Sequence, residues 1–244
     1  MKVSRYKKEF EYSYALGAQP ALDLLLTRPE DAVEVYMHSS FTGKERVEEI
    51  CREGKIPVYY DDRVFARLSD RENCYVIGVF KKFDCELAPN KPHVLLVNPA
   101  DMGNLGSVIR TLAGFGIYDL GILSPCADVF NPKTVRASMG AVFKVRSKEF
   151  SSVEEYRQAF SDRQFFSFML EGKLRLGRDR MDISENFTLV FGNEATGLDK
   201  SYLEIGKSVF IPQTKDVDSL NLALSVGIGA FWFMNAVYDK NRGD

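Results

Sequence analysis

Residues 104–110, Asn-Leu-Gly-Ser-Val-Ile-Arg, place an amide, a glycine and a guanidinium where a turn gives way to a helical pattern. Two later stretches share this character: residues 191–197, Phe-Gly-Asn-Glu-Ala-Thr-Gly, and residues 219–221, Ser-Leu-Asn. Each follows an apolar, β-branched run, and in parallel α/β sheets ligands gather where strands hand over to helices. Three polar corners in one half of the chain point to a composite site. Their residue types offer binding, orientation and charge stabilisation: Arg110 stays protonated, Asn104 and Asn221 both donate and accept, and Glu194 is the only charge in the middle stretch.

Each residue also has a plain structural reading. Val108, Ile109, Leu112 and Phe115 mark the buried face of the first helix. At roughly 100° per residue, Arg110 lies about 200° around from Val108 and points away from that core. A cation in a first helical turn opposes the helix dipole by about a few tenths of a kcal/mol, so helix stability does not account for it; a solvated arginine is the alternative. Asn104 fits a turn or cap, and Gly106 a tight turn. Ser219 fits the cap of the last helix. Asn221, between Leu220 and Leu222, is expected to be buried, where an amide without partners costs about 1–3 kcal/mol. Gly227 and Gly229 each weaken that helix by about 1 kcal/mol relative to alanine, which close packing against another helix or a second subunit would explain.

Two phosphate-binding motifs are excluded. Gly192 and Gly197 have the spacing of a nucleotide-triphosphate loop, but Leu198-Asp199 follows where Lys and Ser/Thr are required. Gly103 and Gly106 lack the full G-x-G-x-x-G of a dinucleotide fingerprint.

Composition sets the outer bounds. At 244 residues, 45% hydrophobic and 27% charged, the chain can form one large or two modest globular domains. The net charge of -2 excludes a uniformly basic nucleic-acid binder and leaves only local patches. Lys133, Arg136, Lys144, Arg146 and Lys148 form one candidate patch, and Arg175, Arg178 and Arg180 another. Cys51, Cys74, Cys85 and Cys126 show no metal-ligand or disulfide spacing, and with only His38 and His93 no metal site is expected. The first residues lack a signal-peptide core, so a cytoplasmic protein is expected. Residues 220–238 are apolar enough to approach a span of roughly 30 Å, but no lysine cluster anchors either end, and a buried helix rather than a membrane segment is expected.

Residues 1–85 read as a small mixed α/β module. Residues 14–26 read as a turn feeding a helix with Pro20 near its start; strands are expected at 33–37, 56–60 and 74–80, and helices at 42–53, ending at Gly54, and 61–68. Residues 86–92, with Pro89 and Pro92, read as an interdomain linker. Residues 93–244 alternate strand and helix: strands at 93–97, 120–123, 164–170, 188–191 and 208–211, helices at 107–115, 134–140, 153–159 and 221–238.

Taken together, these stretches resemble the SpoU (TrmH-type) branch of the SPOUT RNA methyltransferases. Asn104, Gly106 and Arg110 match its Asn-x-Gly-x-x-x-Arg signature; Gly192, Glu194 and Gly197 match the second; Ile211-Pro212 and Ser219-Leu220-Asn221 match the third. Residues 135–141, Val-Arg-Ala-Ser-Met-Gly-Ala, resemble the family's intermediate segment. The resemblance covers about residues 93–238, and the first module is similar, more loosely, to a ribosomal-protein-like RNA-binding domain. Met102 departs from the proline usual two residues before the signature asparagine, with Asn98-Pro99 lying further upstream. The resemblance implies an α/β fold whose C-terminal SPOUT-type parallel sheet carries a trefoil knot. It implies S-adenosylmethionine held at Phe191, Gly192, Asn193, Glu194, Gly197, Ile211, Ser219 and Leu220, and catalytic residues Arg110, Asn104, Glu194, Ser219 and Asn221. It also implies a homodimer that methylates a ribose 2′-hydroxyl of tRNA or rRNA. A catalytically silent RNA-binding protein and an RNA base methyltransferase are the rival readings, with a small-molecule dehydrogenase behind them.

Overall fold

The computed structural model describes residues 3–69 and 73–242. The chain divides into two compact units, Met1–Asp84 with Asp128–Lys144, and Cys85–Ala127 with Val145–Asp244.

The first unit contains β1 (Tyr12–Leu16), α1 (Ala18–Thr27), β2 (Ala32–Met37), α2 (Lys44–Glu53), β3 (Val58–Tyr60), α3 (Asp62–Leu68) and β4 (Val76–Lys81). Among the described residues these strands form a four-stranded mixed sheet, β1-β4-β2-β3, with β4 antiparallel to both neighbours and β3 parallel to β2. Residues 14–16, expected in a turn, are strand, because Tyr14, Ala15 and Leu16 are all buried against Val79, Gly78 and Ile77 of β4. The turn comes one residue later at Gly17, whose φ of 110° suits glycine.

The second unit begins with β5 (His93–Val97), α4 (Met102–Gly114) and β6 (Asp119–Leu123). The chain then joins the first unit through α5 (Pro132–Ala137) and returns as β7 (Arg146–Phe150), α6 (Val153–Ala159), β8 (Gln164–Phe168), β9 (Leu174–Arg175), β10 (Phe187–Phe191), β11 (Lys207–Phe210) and α7 (Leu222–Arg242). This corrects the expectation that 93–244 is one continuous domain. Residues 128–144 belong to the first unit because their apolar groups complete its core: Phe80 meets Phe143 at 5.0 Å and Phe130 at 6.0 Å between ring centres. The buried Asp23 of α1 accepts from the Lys144 ammonium at 2.5 Å. Residues 86–92 are no free linker either. Leu87 is buried in the second unit's core, and the Ala88 N–H donates to Asp119 at 2.8 Å.

Seven described strands form the second sheet, in the order β7-β6-β5-β10-β8-β11-β9, with every pair parallel. The expected parallel α/β sheet is therefore present. Strand β7 has no apolar run to announce it, since Arg-Ser-Lys-Glu-Phe reads as a solvated charge cluster. It is an edge strand, where one open side tolerates polar residues, and its cations are paired: Arg146 with Asp119 through two bonds of 2.7 and 2.6 Å, and Lys148 with Glu86 at 2.7 Å.

A buried polar chain closes the N-terminal ends of the central strands. His93 is fully buried; one ring nitrogen meets the Ala88 carbonyl at 2.8 Å and the other the Tyr156 hydroxyl at 2.7 Å, which in turn meets the Thr188 hydroxyl at 3.0 Å. The Arg163 guanidinium lies 3.2 Å from the same nitrogen that meets the Ala88 carbonyl, so a donor and an acceptor both face Nε2. Burial first, then the nearby Arg163 guanidinium, push this imidazole down from 6.5 to about 4. The unfolded chain therefore takes up a proton that the folded one refuses, and stability is lost as pH falls from about 6.5 towards 4. Urea denaturation across this window should show a loss on the order of 3 kcal/mol from this group. His93→Gln, though less stable at neutral pH, should show a flatter pH dependence; an identical slope would remove His93 as its source.

Candidate functional site

Strands β5, β10 and β8 lie side by side, so the loops leaving their C-terminal ends are neighbours. Strand β10 enters the sheet late, between β5 and β8. Such a reversal in strand order opens a crevice at the strand ends. Residues 98–101 leave β5, residues 192–199 leave β10, and the run before α7 returns from β11.

Glu194 ties these loops together. Its carboxylate accepts from the N–H groups of Ala100 and Asp101, at 3.0 and 3.2 Å, and from the Asn104 side-chain amide at 3.2 Å. Because a carboxylate only accepts, the Asn104 NH₂ must face it, leaving Asn104 Oδ1 to accept from Asn221 Nδ2 at 3.0 Å. Asn221 Oδ1 is then free to cap α7 by accepting from the Ala223 N–H at 2.9 Å. One directed chain of hydrogen bonds joins the starts of α4 and α7 to the β10 loop. Partial burial works to raise the Glu194 carboxyl, but the N–H groups of Ala100, Glu194 itself and Asp101, with the Asn104 amide, outweigh it and hold the pKa below the ordinary carboxylate value.

The β10 loop is shaped by its glycines. A Cβ on Gly192 would stand 2.1 Å from the Gly197 carbonyl carbon, and Gly197 has φ 68°. Asn193 closes the loop: its carbonyl accepts from the Gly197 N–H at 2.9 Å, its Oδ1 accepts from the Ala195 N–H at 2.8 Å, and its Nδ2 donates to the Asn98 carbonyl at 2.7 Å.

Three local expectations change. Asn104 and Gly106 lie inside α4, not in a turn before it, because Asp101 accepts from the Asn104 N–H at 2.7 Å and starts the helix early. Asn221 is exposed, not buried, and it rather than Ser219 caps α7. Helix α7 is buried on one face only. Phe233 packs among Phe166, Phe168 and Phe187, whereas Leu224 and Phe231 are 61% and 55% exposed. Among the described residues α7 is the one helix long and apolar enough to cross a membrane by length and composition. Gly229 explains part of its close fit: a Cβ there would meet Phe168 at 2.9 Å and Phe191 at 3.0 Å.

A cleft of about 560 Å³ opens beside this junction. Phe191, Gly192, Asn193, Glu194, Gly197, Ile211, Ser219 and Leu220 all line it, and Phe191 stacks on Phe168 at 4.4 Å in its floor. Asn104 and Asn221 stand behind the cleft, linked to it through Glu194. Arg110 is not among the lining residues. It is exposed on α4, and among the described residues no hydrogen bond or ion pair holds its guanidinium. Sequence reasoning missed Met169, Leu170 and Glu171 after β8, and Gln213 and Asp218 after β11. The change from an apolar run to acidic Glu171 at a strand end was the available signal for the first group. A second cleft, of about 640 Å³ and lined by Arg157, Arg163 and Lys207, lies among residues at the opposite ends of the strands, away from these loops.

Residues 91–231 match the SpoU rRNA Methylase family. The chain belongs to this family. Among its relatives, a 23S rRNA (guanosine(2553)-2′-O)-methyltransferase of Bacillus subtilis is 32% identical over 55% of this chain and 55% of its own length. An uncharacterised tRNA/rRNA methyltransferase of Synechocystis is 30% identical over 52% of this chain and 47% of its own. The chain thus spans about half the length of these two relatives. An AdoMet-bound rRNA methyltransferase from Sinorhizobium meliloti superposes with a TM-score of 0.76 at 25% identity, covering 93% of this chain and 88% of that one. The family assignment and the shared fold agree with the resemblance drawn from the signature residues.

The Glu194 junction is open to direct measurement. Hydrogen bonds to a charged acceptor are worth about 1.5–3 kcal/mol each. Glu194→Gln should therefore speed hydrogen exchange at the Ala100 and Asp101 amides by about 10- to 100-fold. Since the Glu194 pKa is depressed, acidification through the carboxylate range should have the same effect on the unsubstituted protein. Exchange at these amides that is indifferent to both changes would remove Glu194 from the junction.

Proposed function

We propose that this chain transfers a methyl group from S-adenosylmethionine to a ribose 2′-hydroxyl of tRNA or rRNA, acting as a homodimer. The observation that carries this reading is the convergence of the three signature stretches on one cleft, joined by the Glu194 hydrogen-bond chain. The cleft suits the donor. Its volume falls within the roughly 300–1,000 Å³ of small-molecule sites, its floor is the Phe168–Phe191 stack, and Glu171, Asp199 and Asp218, set against Lys200, leave a negative balance that favours a cationic ligand. Bound there, S-adenosylmethionine supplies a methyl group already activated by a sulfonium.

The protein's task is then alignment, which can remove roughly 7–11 kcal/mol of a barrier. Backbone groups of the loop closed by Gly192 and Gly197 hold the donor, while Asn104 and Asn221 keep the loops in register. Glu194 is occupied by three donors and is a poor base. Arg110 is the residue for the acceptor. Its guanidinium cannot take up a proton but can orient a phosphate and stabilise the negative charge that develops on the ribose oxygen as the S–CH3 bond breaks, the O–CH3 bond forms and the hydroxyl proton passes to solvent.

Arg110 lies outside its own cleft, and this supports the dimer. Leu224, Ile228, Phe231 and Tyr238 form an exposed apolar stripe along α7, and α4 packs beside it through Phe115, 6.0 Å from Phe231. A second copy seated on this stripe would supply its Arg110 to the first copy's cleft. The trefoil threading implied by the resemblance belongs to the same proposal.

Arg110→Ala should leave S-adenosylmethionine affinity intact and lower methyl transfer to RNA by at least about 100-fold. Transfer of tritiated methyl followed by nucleoside analysis reads this out; unchanged turnover ends the assignment, and label on a base instead of a 2′-O-methyl ribose ends the ribose reading. Leu224→Lys with Phe231→Lys should convert a dimeric mass in light scattering to a monomeric one, with loss of transfer. Full activity as a monomer would refute the shared site.

A further inference from the structure

Strands β8 and β11 lead to the first cleft at one end; at the other they border the second, of about 640 Å³. Its lining lies wholly in the second unit, on α6, at the start of β8 and at the start of β11. Three of the lining residues are cations: Arg157, Arg163 and Lys207. Arg163 is fixed by backbone carbonyls. Its Nη2 donates to Lys91 at 2.7 Å and to Phe187 at 2.6 Å, and its Nη1 to Pro89 at 3.3 Å. Carbonyls satisfy these hydrogens but do not neutralise the charge, and Arg163 Nε is buried with no partner among the described residues. Burial pushes this guanidinium below the ordinary arginine pKa. The carboxylate that works against that shift, Asp119, is already engaged by Arg146 through two bonds.

Arg157 and Lys207 are exposed, and among the described residues neither has a carboxylate partner. The Arg157 guanidinium lies 5.9 Å from the centre of the Phe165 ring, and the Lys207 ammonium 5.6 Å from that of Phe166. Lys207 reaches the Asp182 carbonyl at 3.5 Å, but the Asp182 carboxylate is bound to Lys240 at 3.2 Å. Two carboxylates stand nearby. Glu154 lines the cleft one turn before Arg157, and the exposed Asp162 precedes Arg163 in the chain. Among the described residues neither forms an ion pair, so the three cations keep a positive balance. Like charges gathered at one wall repel, and an anion placed between them removes that cost. Phe165 gives the same cleft a flat apolar wall, and the volume falls within the roughly 300–1,000 Å³ of small-molecule sites. Guanidinium groups match the oxygens of a phosphate.

We infer that this cleft is a second ligand site for a phosphate monoester of nucleotide size, with Arg157, Arg163 and Lys207 facing the phosphate and Phe165 packing against the ligand's body. It shares strands with the first cleft but no lining residue, and it stands whether or not the chain transfers methyl groups.

The test uses the full chain with uridine 5′-monophosphate as the probe, and with uridine and inorganic phosphate as its two halves. The chain has two histidines; His93 Nε2 lies 3.2 Å from Arg163, whereas His38 belongs to the first unit. A phosphate drawn to Arg163 changes the field at the His93 ring. The NMR signals of His93 should therefore shift saturably with the monophosphate, and those of His38 should stay still. Arg157→Gln combined with Lys207→Gln should weaken this binding at least about tenfold, and salt should weaken it in the unsubstituted chain. Thermal stability should not change, because both side chains are exposed. Arg110→Ala should bind the probe normally, which separates this cleft from the proposed RNA acceptor position. Uridine should leave His93 unmoved, and inorganic phosphate should act only at higher concentration. Inorganic phosphate that binds as tightly as the monophosphate means an adventitious ion only, and overturns the site. Unmoved His93 signals at millimolar monophosphate, or full affinity in the double variant, overturn it equally. A His93 shift caused by transfer RNA but not by the monophosphate assigns the cleft to a nucleic-acid strand and also sinks the small-ligand reading.

Discussion

A carboxylate can only accept, and the second unit's strand-end loops are organised by that restriction. Glu194 sits where β10 has just left the sheet beside β5, within reach of two N–H groups that precede α4. Those groups have no carbonyl partner at a helix start, and a negative charge at that end is also favoured by the helix dipole. Filling Glu194 with donors sets the orientation of Asn104, which sets that of Asn221, which caps α7. Reversing any amide in this chain would place like groups face to face. Three loops from separate strands are thereby given one common arrangement.

The wall behind those loops is built by size rather than by polarity. Phe168 and Phe191 stack with an interplanar angle of 18°, and α7 can lie against them only because position 229 carries no side chain. A glycine inside a helix costs about 1 kcal/mol relative to alanine, and the closeness of two aromatic rings offsets it. At position 227 the nearest contact is Thr111 of α4, at 3.4 Å from where a Cβ would stand. The glycines thus let one face of α7 approach the sheet and α4, while the larger Leu224, Ile228 and Phe231 project from the other face.

How much of this could be read from the sequence depends on how local its cause is. Strands β5, β10 and β11 were legible because buried parallel strands are nearly continuous apolar runs, and the residues of the β10 loop, with Ile211, Ser219 and Leu220, were named through the family resemblance. The early start of α4 was not legible: it depends on Asp101 folding back to cap Asn104, and Gly103 and Gly106 make that stretch look like a turn. Nor was β7, whose Arg146 and Lys148 are neutralised by Asp119 and Glu86, residues distant in sequence. The assignment of residues 128–144 to the first unit was hidden for the same reason. Its anchor, Lys144 on Asp23, is a contact between two residues that are each unremarkable in their own neighbourhoods.

Charge shows most clearly why such contacts matter. With 32 basic and 34 acidic residues, the chain carries no net preference for either a cation or a polyanion. The fold removes many of these charges from play by pairing them: Asp23 with Lys144, Asp119 with Arg146, Glu86 with Lys148, Asp182 with Lys240. What remains is unevenly distributed. Carboxylates of Glu171, Asp199 and Asp218 are left around the cleft, where the proposed methyl donor is a cation that becomes neutral at sulfur once the methyl has gone. Among the described residues Arg110 is left without an ion pair on α4. A donor whose charge falls on reaction is held more tightly before transfer than after it in an acidic cleft, whereas a polyanion is attracted only to the basic faces. At a Debye length of about 8 Å in physiological salt, such segregation acts locally, so the near-zero total charge does not weaken it.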